Sequence, residues 1–139
     1  MDTRSAVART FGLAALLFCL AACPAAEPAD LAGMAEAAWD LYRSSPSTAS
    51  YENFIRANRN AASRRTEPYD RIGITYQVRS LEAMSEEAER TKDAALAQDV
   101  TSRIAWLEQR DLLGNFEEAV PGSKERLAVA KARAAAVGR

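Results

Sequence analysis

Few side chains in this sequence can do chemistry, because its 139 residues include no histidine and only two cysteines, Cys19 and Cys23. Without histidine the chain lacks the commonest general acid–base and the imidazole ligand of zinc and helical di-iron sites. Ser–His–Asp and Cys–His nucleophiles are excluded for the same reason. An enzyme built from this sequence would depend on carboxylates, Lys, Ser or Tyr alone. We therefore expect a protein that is not an enzyme and that uses no metal or other cofactor.

Cys23 has the most specific chemical surroundings of any residue in the chain. Two arginines make the first ten residues basic, an apolar run spans residues 11–20, and two alanines follow at 21 and 22. A basic segment, a short apolar run and small residues at a cleavage point are typical of a secretory signal peptide. The run is shorter than the ~20 apolar residues that a permanent membrane-spanning helix needs. The sequence therefore predicts a signal peptide over residues 1–22.

The tetrapeptide Leu20-Ala21-Ala22-Cys23 resembles the lipobox of bacterial lipoproteins, in which a leucine and two small residues precede an invariant cysteine. The resemblance implies that the Cys23 thiol is diacylglycerylated, that cleavage follows Ala22, and that the new amino terminus is acylated. Several buried acyl chains would anchor the protein stably in a membrane. The alternative is an ordinary cleaved signal peptide that leaves Cys23 as a free thiol. Cys19 would leave with the signal, so the mature chain could form no intrachain disulfide.

The resemblance also implies a division of the chain into three segments and a location in the cell envelope. Residues 1–22 would be the signal peptide, residues 23–30 the lipidated cysteine with a short tether, and residues 31–139 one helical domain. Pro24 follows Cys23, where an aspartate would signal retention in the inner membrane, so the family rule favours the outer membrane. The tether reaches only about 23 Å when fully extended. The domain should therefore lie close to the bilayer.

The mature chain has one cluster of basic residues and no general excess of positive charge. It would hold 16 basic and 18 acidic residues, so nucleic-acid binding has no electrostatic support. The cluster comprises Arg56, Arg59, Arg64 and Arg65, with no acidic residue between Glu52 and Glu67. These arginines could contact lipid headgroups, other anions or an acidic partner. They could equally form a solvated face whose charges suit the C-terminus of a helix.

Aromatic residues offer a second candidate site, a groove for a ligand. Its lining would be drawn from Trp39, Tyr51, Tyr69, Tyr76 and Trp106. At helical spacing such residues more often belong to a core. Asn58 falls in the middle of the apolar face of its predicted helix, where a buried amide must find hydrogen-bond partners in the core or contact a ligand.

Glu82 and Glu86 form a third candidate, because residues four apart are neighbours on a helix. Two carboxylates at that spacing could share a cation. With no histidine beside them, a solvated acidic face is the simpler interpretation.

Apolar residues at helical spacing predict an all-α domain of four or five helices, as a bundle or as stacked helical hairpins. We expect helices from an Asp30 N-cap to the turn cluster at 44–50, from 48 or 50 to 64, from 69 to 90, from 93 to 113, and from a Ser123 cap to 137. Gly114 suits the C′ position after the fourth helix. Residues 114–119 look like the turn and second-helix start of a tetratricopeptide repeat, but Pro121-Gly122 interrupts the match and no 34-residue period is visible.

The segment 69–90 is predicted to be the central helix, because it carries apolar residues on two faces. Within it, residues 71–78 alternate in a pattern that also suits a strand. No second strand candidate exists to pair with them, which favours the helix. Gly73 either lets a neighbouring backbone approach closely or simply weakens this helix.

Two functional hypotheses follow. The first is a lipid-anchored, non-catalytic accessory or adaptor protein that binds another envelope protein. The second is a binding module for a small or anionic envelope ligand, through the arginine-rich face or the aromatic groove.

Overall fold

The computed structural model describes residues 28–139, with side chains from residue 30 onward. The predicted signal peptide, the lipobox with Cys23 and residues 24–27 of the tether lie outside the described residues. Within them every regular element is an α-helix, which confirms the all-α prediction. The helices are α1 (Pro28–Ser44), α2 (Thr48–Ser63), α3 (Arg71–Thr91), α4 (Ala94–Gln109), α5 (Leu113–Ala119) and α6 (Ser123–Val137). None of these helices is long and apolar enough to cross a membrane.

Helix α3 is the centre of the fold, as its two apolar faces predict. It packs against α2, α4, α5 and α6. Ile74, Val78 and Leu81 join the largest buried cluster, whereas Tyr76 and Ala83 pack with residues of α1 and α2. The strand alternative for residues 71–78 is wrong, because α3 covers that whole segment.

The core has a large part, a small part and a minor cluster of Ala35, Ala61 and Tyr76. The large part joins α3, α4, α5 and α6 around Val100, Ile104, Phe116 and Leu127. The small part joins the α1–α2 hairpin to α3, and its members are Ala38, Trp39, Tyr42, Phe54 and Ala83. The apolar line of α6 therefore docks on the core, with Leu127, Ala130 and Ala134 buried.

The first two helices begin close to the predicted positions. Helix α1 starts at Pro28, so the end of the predicted tether is helical and Asp30 lies in the first turn, not at the N-cap. Proline suits a first turn because the missing N–H would be unpaired there in any helix. Ser47 caps α2 in a reciprocal arrangement: its Oγ accepts from Ser50 N at 3.0 Å, and Ser50 Oγ accepts from Ser47 N at 2.9 Å.

The fourth helix ends earlier than predicted. It stops at Gln109, and Asp111 takes the left-handed conformation (φ 54°) that was expected at a glycine. Leu112 N then donates to Leu107 O at 3.0 Å, which closes the helix end. Gly114 consequently lies inside the additional helix α5 and not at a C′ position.

The N-terminus of the last helix, α6, is capped by a side chain from the preceding helix, α5. Ser123 is its first residue, and its Oγ donates backwards to Val120 O at 2.5 Å, so the predicted Ser123 cap is wrong. The Glu117 carboxylate in α5 instead accepts from Gly122 N at 3.0 Å and Lys124 N at 2.9 Å. These two hydrogen bonds hold the pKa of Glu117 below its ordinary value. A carboxylate suits this place because the N–H groups and dipole of a helix N-terminus attract anions.

We expect Glu117→Gln to lower the melting temperature at neutral pH and to remove part of its acid sensitivity. Because the folded-state pKa of Glu117 lies below its ordinary value of 4.5, its stabilisation is complete above that value and is lost as pH falls through the lower one. Thermal unfolding from pH 7 to pH 3 should therefore show variant and wild type converging in acid. Glu118→Gln, on the same helix, is the control. A difference that persists unchanged at pH 3 would contradict the assignment.

Candidate binding groove

A groove runs between α2 and α4 with α3 as its floor. Each of the flanking helices packs on α3, and they pack far less on each other. The space left between them is about 770 Å³. The three helices thus supply three walls, and no described helix closes the fourth.

Each of the three helices contributes one stripe of residues to the groove. The stripe of α2 includes Tyr51, Ile55 and Ala62, and that of α4 runs from Leu96 to Trp106 and Leu107. Leu96 and Leu107 are eleven positions apart, and a rise of 1.5 Å per position makes the groove about 16 Å long, or three turns. On each helix, the residues that line the groove are therefore three or four positions apart, as on one face of an amphipathic helix.

The floor of the groove combines buried apolar residues with Gln77 and Ser80 of α3, and a buried amide of α2, Asn58, lies against it. Tyr76, Leu81 and Met84 are buried there, and Asn58 is only 4% exposed. Asn58 Nδ2 donates to Tyr76 O at 3.1 Å and to Ser80 Oγ at 2.7 Å. Its Oδ1 has no hydrogen-bond partner among the described residues. The predicted core amide is therefore satisfied on one side only, and an unpaired buried carbonyl is destabilising.

The predicted aromatic groove exists, with one residue misplaced. Tyr51, Tyr69, Tyr76 and Trp106 all line it. Tyr69 and Trp106 stand at its rim, 49% and 42% exposed, which is high for such large side chains. Arg110 lies over the Trp106 ring, 4.1 Å from its centroid. Burial, with a smaller contribution from the Glu87 carboxylate, raises the pKa of Tyr51, so its phenol stays neutral.

Trp39 lies away from the groove, in the small part of the core. Its ring centroid is 5.0 Å from that of Phe54, and the guanidinium groups of Arg43 and Arg79 lie over it at 5.3 and 5.1 Å. The prediction placed Trp39 beside the other aromatic residues because helical spacing cannot tell which neighbour a face meets.

The structure divides the predicted arginine cluster in two. Arg59 and Arg65 line the groove, whereas Arg56 and Arg64 are exposed and do not. Arg65 is paired with Asp70. Arg59 has no ion-pair partner among residues 30–139. Arg103, which the sequence analysis missed, reaches the groove from α4, where its Nε donates to Asp99 Oδ1 at 2.9 Å. Its place in the groove depends on the packing of α4, so no local signal marks it.

One end of the groove is built on a close backbone approach. The connection between α2 and α3 passes directly over Gly73, and a Cβ atom built there would lie 2.3 Å from Pro68 O and 2.6 Å from Pro68 C. Gln77 Nε2 donates to the same Pro68 carbonyl at 2.7 Å. This confirms that Gly73 admits a neighbouring backbone, and Pro68 and Tyr69 are thereby held at the end of the groove.

Glu82 and Glu86 are used in ion pairs between helices. Glu82 accepts from Arg126 at 2.7 and 2.6 Å, which ties α3 to α6 and raises the pKa of the guanidinium. Glu86 accepts from Tyr42 at 2.6 Å and from Arg43 at 2.9 Å, which ties α3 to α1. The described residues contain no group of three or more His, Cys, Asp or Glu side chains placed to hold a metal ion.

Comparison of the chain with protein-family models, with curated proteins and with solved structures found no match. The chemical groups of the groove therefore indicate what it can bind. It offers apolar and aromatic contact, three guanidinium groups and one carboxylate, Asp99, which is already paired. Such a lining is suited to binding.

Proposed function

We propose that this chain is a lipid-anchored, non-catalytic accessory protein of the bacterial cell envelope that binds a segment of another envelope protein in the groove between α2 and α4. The anchor would be Cys23, held at the outer membrane. The observation that carries the proposal is the residue composition of the groove. Its twenty lining residues include three tyrosines, a tryptophan, a methionine and three arginines, and no lysine or glutamate.

That composition is typical of the buried centre of a protein–protein interface. Aromatic residues, methionine and arginine are enriched there. Of the depleted types, lysine and glutamate are absent from the groove lining, and aspartate, serine and alanine supply four of its residues. Tryptophan, tyrosine and arginine also carry most of the binding energy when interfaces are scanned by substitution. The rim residues Tyr69 and Trp106 fit this pattern, since large apolar surface exposed around a groove marks an interaction site.

The second hypothesis, a small or anionic ligand, is supported by Arg59 alone among the four predicted arginines. Small-molecule sites usually enclose 70–90% of their ligand. A groove that no described helix closes on its fourth side leaves more of an occupant in solvent. Its volume is within the range of ligand pockets, so the same site serves both hypotheses, and the shape favours a chain segment.

Site-specific photocrosslinking in cells tests the proposal. A photoreactive amino acid at Ser102, exposed on the groove wall, should give one dominant adduct with an envelope protein. The same group at Ala135, exposed on α6 outside the groove, is the control and should not give that adduct. The adduct should also be lost in Cys23→Ser, because an unanchored protein would leave the membrane.

Two results would contradict the proposal. Identical adducts from Ser102 and Ala135 would show proximity without use of the groove. Adducts with lipid alone, or none above background, would exclude a protein partner there and favour the small-ligand hypothesis.

A further inference from the structure

We infer that the groove accepts a single amphipathic α-helix of about three turns from the partner, with an acidic residue placed against Arg59. This inference rests on the proposed function and specifies the partner segment. It concerns the shape of the occupant, its charge and the residue that selects it.

The groove has three helical walls of the kind that a fourth helix could pack against. Neighbouring helices pack with their axes 8–10 Å apart, and α2 and α4 both border the groove with residues three or four apart along three turns. A fourth helix laid parallel to the floor would meet all three stripes. Its own apolar residues would recur at i, i+3 or i+4, and i+7, which is how amphipathic helices enter apolar grooves.

The length of the groove sets the length of the segment. About 16 Å corresponds to eleven residues of helix. One end of the groove is bounded by Pro68 and Tyr69, which are held over Gly73. A longer helix would have to leave the groove at the opposite end, beside Tyr51 and Leu96.

The charges along the groove predict the polar edge of the occupant. Arg65 and Arg103 already have acidic partners in Asp70 and Asp99. Arg59 has none among the described residues, although it stands on the groove wall. A partner helix that covers it would desolvate the guanidinium, which is unfavourable unless a carboxylate accompanies it. An Asp or Glu beside the apolar stripe satisfies this requirement, and a Lys there would be rejected.

A buried amide of the α2 wall adds a polar preference near the centre of the groove. Asn58 is almost fully buried, both hydrogens of its amide are directed to α3, and Oδ1 lacks a partner. That oxygen is itself buried, so an occupant with a hydroxyl or amide donor on its apolar face would pair with it only if the side chain turned toward the groove. One polar position inside an apolar stripe also fixes the register of a docked helix.

A display library of fourteen-residue helical peptides, with every position on the helix surface randomised, tests the inference. The target is the full chain, lipidated and held in nanodiscs. Selected peptides should share an apolar stripe at i, i+3 or i+4, and i+7, with Asp or Glu next to it. Fluorescence anisotropy should show that Trp106→Ala weakens their binding by roughly tenfold or more, because rim aromatics act as hot spots.

Arg59→Glu and Arg56→Glu form the matched pair. Both substitutions make the same charge change on α2, but only Arg59 lines the groove. Binding of the acidic peptides should fall by roughly tenfold or more with Arg59→Glu, as for loss of a desolvated charge pair, and should stay within twofold with Arg56→Glu. Replacing the peptide's acid by Lys should restore binding to Arg59→Glu.

The outcomes distinguish a failure of the helical-occupant inference from a failure of the proposed function. Binders that respond equally to both arginine substitutions overturn the contact with Arg59, and a library that gives no binder overturns the helical occupant. If Ser102 still crosslinks an envelope protein in that case, the groove binds a segment of another shape. Self-association that Trp106→Ala abolishes would instead make a second copy of this chain the occupant.

Discussion

Phe54→Ala should lower the free energy of unfolding by about 3–5 kcal/mol, a large share of the 5–15 kcal/mol of a typical domain. Phe54 is fully buried, its ring is stacked on Tyr42 at 6.1 Å, and it lies 5.0 Å from Trp39. The substitution removes the centre of the small part of the core, and helices α1, α2 and α3 cannot close the space without moving. Urea denaturation followed by circular dichroism measures the effect.

Phe54→Leu is the control for Phe54→Ala. Leucine retains most of the apolar volume, so the loss should be within about 1.5 kcal/mol. Phe54 does not line the groove, and the Phe54→Leu protein should therefore crosslink from Ser102 like wild type. A loss below about 1 kcal/mol in Phe54→Ala would mean that the α1–α2 hairpin contributes little to the stability of the domain.

Gly73→Ala is expected to be the most damaging change of a single methyl group. The added Cβ would lie 2.3 Å from Pro68 O and 3.0 Å from Glu67 O, and both are backbone atoms that cannot rotate away. The connection between α2 and α3 must shift, so we expect a loss of about 1–3 kcal/mol or more, as for overpacking. Because that connection holds Pro68 and Tyr69, the end of the groove would move as well.

Gly33→Ala is the matched control, since Gly33 lies in α1 with no atom within 4 Å of the added Cβ. Alanine favours helix by about 1 kcal/mol over glycine, so this variant should be slightly more stable than wild type. Thermal unfolding of both variants and crosslinking from Ser102 measure stability and groove separately. Equal stability changes in the two variants would show that the close approach at Gly73 is not tight in solution.

Much of the fold was predictable because it follows from local patterns. The stripes of α3 and α4 place Ile74, Val78, Val100 and Ile104 in the core, and the structure buries all four. Helix ends were less predictable. Asp111 takes a conformation that glycine adopts more easily, and Glu117 caps a helix to which it does not belong. Both depend on contacts made only when neighbouring helices pack.

The candidate site was predictable in its residues and not in its arrangement. Aromatic content pointed to Tyr51, Tyr76 and Trp106, but it also included Trp39, which packs in the core. The sequence suggested that the clustered arginines share one surface. In the structure Arg59 lines the groove and Arg56 does not. The groove exists because α2 and α4 stay apart, and the separation of two helices leaves no trace in the periodicity of either.

The two walls of the groove belong to different parts of the core, which affects how an occupant would act on the protein. Its α2 wall belongs to the hairpin packed around Phe54, whereas its α4 wall belongs to the part packed around Val100 and Phe116. The groove is thus the seam between the two parts of the core. They meet on α3 and at Tyr51 and Ile55 of α2, which pack against both. A helix seated in the groove would contact the hairpin and the α4 side at once, so an occupant should stabilise the two sides together against unfolding.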